Sequence, residues 1–243
     1  MSDKIAEEEI AKNPKFIMFN LLRILKFFYS FKELEKMLNI PSQVLWRYTT
    51  LRVTPEKETA QKIIAKINEL KLIEKAVSKT ITGKWELWEI FRNPGILELA
   101  ALKIVNEFKK NRIDVVLPAP DPYSIALGSI IAAYLRARLC IPVRMFPPGN
   151  SLVEVYMPAP NMLDVAAIPR SCIPRKSKVL IVAATTENQS LIEAAVNLAL
   201  KSRAEIRGLF SLEGSRDAMR RMLAERGQND SKILVLVEAA ESA

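Results

Sequence analysis

The chain has 243 residues, 49% of them hydrophobic and 26% charged, the balance of a soluble globular protein with one large domain or two small ones. It has no histidine and only two cysteines, Cys140 and Cys172, which excludes Ser-His-Asp and Cys-His nucleophiles, histidine metal sites and a disulfide framework. Its net charge of +9 suits a polyanionic partner.

No apolar run reaches the roughly 18 residues of a membrane span, and the charged start MSDKIAEEEIAKNP is not a secretory signal. The expectation is a cytoplasmic protein, away from membranes, with both thiols reduced; a single bridge between them is the other option.

The first seventy-five residues read as a helical domain. FIMFNLLRILKFF, from Phe16 to Phe28, is a compact apolar helix. Ser30 stands three residues before Glu33, a capping box that starts a helix running to about Leu38. Asn39, Ile40 and Pro41 break it, SQVLWRYTTL forms the next helix, and Thr54-Pro55-Glu56 opens a fourth through Leu70. Two short helices across a tight turn make a helix-turn-helix pattern. FKELEKMLNIPSQVLWRYTTLRVTPEKETAQKI resembles the repressor-type helix-turn-helix family, with Leu34, Leu38, Ile40, Leu45 and Ile63 as core positions. The resemblance implies that Ser42, Gln43, Trp46 and Arg47 face the major groove of double-stranded DNA, while Arg52 contacts backbone phosphate.

Residues 76–84 read as a linker, and residues 85–243 as an α/β domain. Asn93-Pro94 breaks the chain before an amphipathic helix carrying Ile96, Leu97, Ala100, Ile104 and Phe108. IDVVLPAP is a strand ending at Pro118, followed by a helix rich in small residues and a strand from Ile141 to Phe146, a βαβ unit. The Pro-rich stretch from Pro147 to Ser177 holds one short strand, VEVYM. Val179 to Val182 is a short buried strand that runs through a polar loop, Thr185 to Ser190, into a helix from about Leu191 to Leu200. AEIRGLFSLEG, DAMRRMLAERG and KILVLVEAA continue as strand, helix and strand, giving a doubly wound parallel sheet.

A strand ending in a loop at a helix N-terminus is where α/β proteins hold anions, because free backbone N–H groups converge there. KVLIVAATTENQSLIEAA, with the segments on either side, resembles the ribose-phosphate loop of type I phosphoribosyltransferases, the body being similar to orotate phosphoribosyltransferases. In that family the strand ends in two acidic residues that hold the ribose hydroxyls. Ala183 and Ala184 stand in their place, and Asn188 and Gln189 stand near the loop glycines. The loop after the first strand, Ala119 to Ser124, carries two prolines and Asp121 where the family is small and glycine-rich, leaving Ser124 and its helix N-terminus as anion contacts.

The layout, a DNA-binding head on a phosphoribosyltransferase-like body, resembles the bacterial purine operon repressor and archaeal regulators of similar build. It implies a DNA-binding transcription regulator, homodimeric through the α/β domain, with no catalytic residue, no metal and no cofactor. Thr185, Thr186, Glu187, Asn188, Gln189 and Ser190 then form a pocket for a nucleotide or phosphoribosyl effector. The alternative is an active orotate or purine phosphoribosyltransferase with an accessory helical domain.

Overall fold

We describe a computed structural model of the chain for residues 13–80, 87–108, 112–145 and 149–238. It divides into two compact units, Met1–Lys109 and Lys110–Ala243.

The first unit is helical: α1 (Pro14–Leu25), α2 (Phe31–Leu38), α3 (Ser42–Thr49), α4 (Lys57–Glu69), α5 (Leu72–Thr80), α6 (Leu87–Phe91) and α7 (Pro94–Phe108). The expected capping box closes as written: Glu33 N–H donates to Ser30 Oγ at 3.2 Å, and Ser30 N–H to the Glu33 carboxylate at 2.7 Å. Asn39 ends α2 in the left-handed region, φ 56°, which asparagine tolerates. Helix α4 begins at Lys57, so Glu56 and not Thr54 is its cap residue.

The start of the expected linker is helix. Leu72, Ile73, Ala76 and Val77 all lie in the core, so α5 forms because one face of this stretch is apolar at helical spacing. The remainder of that linker, 81–84, falls outside the described residues. Lys103 of α7 is buried between Glu74 of α5 at 3.1 Å and Glu107 at 3.5 Å, which pairs the charge it takes out of water. Before Asn93-Pro94, Leu87–Phe91 is helical.

The second unit holds β1 (Val115–Pro118), α8 (Pro122–Leu135), β2 (Arg138–Leu139), β3 (Ser151–Ala159), β4 (Met162–Pro169), β5 (Lys178–Thr185), α9 (Gln189–Lys201), β6 (Glu205–Gly214), α10 (Arg216–Ala224) and β7 (Lys232–Glu238). Five strands form a parallel sheet in the order β2-β1-β5-β6-β7. Alternate residues divide between its faces: Val115, Leu117, Val179, Ile181 and Ala183 share one core with α9, the β3–β4 hairpin and α10. Because parallel crossovers are right-handed, the strand order reversing between β1 and β5 puts α8 on the opposite face from α9 and α10. Crevices at such a reversal, beyond the carboxyl ends of the strands, are where α/β sheets bind ligands.

Three expectations are corrected here. The strand after α8 is only Arg138–Leu139, because the chain then leaves the sheet and Val143 bridges to Ala167 of β4. The Pro-rich stretch holds a full antiparallel hairpin in place of one short strand. Cys140, beside the end of β2, and Cys172, in the turn after β4, are joined in a disulfide with Cα atoms 5.7 Å apart, where two free thiols were expected. Among the described residues no helix is long and apolar enough to cross a membrane.

Candidate active site

The crevice between β1 and β5 is bounded by the loops that follow each strand. The loop after β1 is filled by its own side chains. Asp121 caps α8 by accepting from Ser124 N–H at 2.9 Å, so a carboxylate already occupies the helix N-terminus. Ser124 is buried, and its Oγ accepts from Ala184 N–H at 2.9 Å, tying α8 to β5. The expected anion contact at Ser124 is therefore a structural tie.

Ala183 and Ala184 are both buried, one toward α9 and one toward α8, and β5 brings no carboxylate to the crevice. The acid comes from one strand over. Glu213, near the end of β6, lies opposite Thr185 in the parallel register. Partial burial, and then the negative charge of Glu187, hold its carboxyl above the ordinary 4.5. Two carboxylates close enough to feel each other thus flank the β5 loop. Sequence reasoning missed Glu213; its signal was an acidic residue closing a predicted parallel strand just before a glycine. Among the described residues no group of three or more His, Cys, Asp or Glu gathers to hold a metal ion.

The six loop residues divide by what they touch. Thr186 is buried and locks the corner: its N–H donates to the Glu213 carbonyl at 3.2 Å, and its Oγ1 accepts from Ser215 N–H at 2.8 Å. Gly214, at φ 137°, leaves room for it, since a Cβ there would sit 1.9 Å from Thr186 Oγ1. Thr185 Oγ1 accepts from Glu187 N–H at 3.2 Å, turning the loop. Glu187 and Gln189 are exposed. Asn188 Nδ2 donates to the Pro158 carbonyl at 2.5 Å, and Ser190 Oγ to the Met157 carbonyl at 2.6 Å, so the loop holds the hairpin tip. Together these make a cleft of about 460 Å³ lined by Met157 to Pro160, Glu187 and Asn188. No side chain caps α9, whose N-terminus lies beside that cleft; in its first turn Leu191 N–H donates to the Asn188 carbonyl at 3.3 Å.

The residues singled out on the helical unit lie together. Ser42 begins α3, and Gln43, Trp46 and Arg47 are exposed on it. Arg52 stacks on the Trp46 ring, 4.5 Å from its centroid, so these two side chains engage each other.

No family model matches the chain, and no curated protein resembles it in sequence. Solved structures do. Adenine phosphoribosyltransferase from Rhodothermus marinus is 18% identical, with 65% of this chain covering 88% of that one at a TM-score of 0.53. The enzyme from Trypanosoma brucei, solved with AMP, pyrophosphate and ribose-5-phosphate, is 14% identical, with 70% covering 82% at 0.57. That from Leishmania donovani is 14% identical, with 70% covering 86% at 0.53. These likenesses correct two expectations together, a transcription regulator and a body that is not an enzyme: the proteins of like fold are transferases, and they favour the enzyme alternative. The α/β unit, with its mostly parallel central sheet, has the type I phosphoribosyltransferase-like fold.

Proposed function

We propose that the chain is a phosphoribosyltransferase, moving a phosphoribosyl group between diphosphate and a purine base, with the helical unit as an accessory. One observation carries the reading: Glu213 and Glu187 stand as a carboxylate pair beside the loop at the uncapped N-terminus of α9. The roles divide by charge. The N–H groups of α9, with Thr185, Gln189 and Ser190, receive the ribose 5′-phosphate. Glu213 and Glu187 accept hydrogen bonds from the ribose hydroxyls and oppose the positive charge that grows at the anomeric carbon as diphosphate departs. A carboxylate held partly out of water acts more strongly on that charge than one in solvent. The hairpin tip, Met157 to Pro160, offers an apolar wall to the flat base. Magnesium enters with the diphosphate, as part of the substrate. A nucleotide or phosphoribosyl compound is on this reading substrate or product, in place of an effector.

The test is product formation by the full chain from phosphoribosyl diphosphate with magnesium and, in turn, adenine, hypoxanthine, guanine and orotate. A nucleotide from a purine, lost in Glu213→Gln, supports the reading. No nucleotide from any base rejects it, and product from orotate alone reassigns the substrate.

A further inference from the structure

A second cleft lies between α10 and β7, the edge strand of the parallel sheet. It has a volume of about 440 Å³, within the ~300–1,000 Å³ of small-molecule sites. It shares no lining residue with the cleft beside the β5 loop. The periodicity of α10 makes it. Met219 and Met222 turn into the core, while Arg216 and Arg220, one helical turn apart, line the cleft. Leu223 of α10 and Ile233 of β7 add apolar surface, and the turn between the two elements brings Gln228 and Asn229. The arginines and the amides stand at opposite ends of a helix ~12 Å long. Among the described residues that line the cleft there is no carboxylate.

The two guanidiniums keep most of their donors. Glu238 takes the Nε of Arg216 at 3.1 Å, and Asp217 takes one terminal nitrogen of Arg220 at 3.4 Å. The side chains of Arg220 and Asp217 are 66% and 73% exposed, so their pairing is weak and gives way to a more highly charged anion. Among the described residues the remaining guanidinium nitrogens and the Asn229 amide have no protein partner.

We propose that this cleft binds an adenine nucleotide, with its phosphate on Arg216 and Arg220 and its base at Gln228 and Asn229. Planar guanidinium forks match the oxygens of a phosphate, and the same charges repel a metal cation. A carboxamide pairs its donor and acceptor with the N7 and N6 edge of adenine, as it does in DNA. Leu223 and Ile233 give the ring an apolar surface to lie on. The bounded volume suits a small molecule better than an extended acidic chain. This binding does not rest on the transferase reading; under that reading the chain takes AMP in two places.

Isothermal titration of the full chain with AMP tests this. Arg220→Ala combined with Asn229→Ala lowers the number of AMP molecules bound per chain by one. Asn229→Ala alone weakens AMP at this cleft about 10-fold and leaves the binding of inorganic phosphate unchanged. Hydrogen exchange locates the site without any variant: AMP slows the amides of residues 228–233. An unchanged stoichiometry in the double variant, AMP bound no tighter than inorganic phosphate, or no added protection over 228–233 each overturns the proposal. A single AMP in the wild type that the double variant abolishes supports it, and counts instead against AMP at the transferase cleft.

Discussion

Replacing Gly214 with alanine strikes the corner that joins Glu213 to the β5 loop. The residue sits at φ 137°, where a Cβ is strained, at a cost of about 1–2 kcal/mol. The new atom would lie 1.9 Å from Thr186 Oγ1, 2.6 Å from its Cγ2 and 2.7 Å from its Cβ, so the threonine must move. Overpacking of this kind costs about 1–3 kcal/mol. Moving Thr186 breaks its hydrogen bond from Ser215 N–H, worth about 1 kcal/mol more. The expected loss is about 4 kcal/mol, a large share of the ~5–15 kcal/mol that holds a domain together. Urea unfolding followed by far-ultraviolet circular dichroism reads it directly. In a Thr186→Ala background two of the three close contacts vanish, and Gly214→Ala then costs about 1–2 kcal/mol less. A single-variant cost below ~1 kcal/mol, or strictly additive costs in the double variant, would refute the reasoning.

Glu213→Gln separates stability from activity. Because the Glu213 carboxyl is held above 4.5 in the folded chain, protonation stabilises the fold, a contribution complete below 4.5 and lost as pH rises through the raised value. At neutral pH the glutamine variant therefore melts no lower than wild type while transferase activity disappears, as paired melting and product assays would show. Burial, and then Asp164, push the Tyr156 hydroxyl up to about 12, so its contribution to stability is complete below about 10 and fades as pH rises through about 12. Tyr156→Phe flattens that alkaline decline, measured as melting temperature against pH. Reducing the Cys140–Cys172 bridge, which spans 32 residues, costs about 3–4 kcal/mol by chain entropy, read as a lower urea midpoint in dithiothreitol.

How much was legible in the sequence differed from element to element. β1 and β5 declare themselves as short apolar runs because a parallel strand covered on both faces has no polar side to show. The capping box of α2 and the Asp121 cap of α8 are likewise local chemistry, complete within a few residues. The hairpin was half hidden. Pro158, Pro160 and Pro169 punctuate it, and MLDVAAIP lacks alternation because its outer face is as apolar as its inner one.

The candidate site shows the same division. Its loop and helix were readable from Thr185 onward, since a strand, a polar turn and an apolar-periodic helix follow in unbroken sequence. The loss of acid at Ala183 and Ala184 is readable too, and along the chain alone it reads as a site without a catalytic carboxylate. Register brings a carboxylate to the loop: parallel pairing sets Glu213 level with Thr185 across a gap of 28 residues, and its carboxyl feels the charge of Glu187. Sequence by itself determined the capped helices α2 and α8, the buried strands β1 and β5 and the place of the loop, because each of those depends on neighbours along the chain. Only the tertiary structure decided which carboxylates and carbonyls meet at the loop, and that Cys140 and Cys172 come close enough to bridge, because those distances are set by the packing of strands against one another.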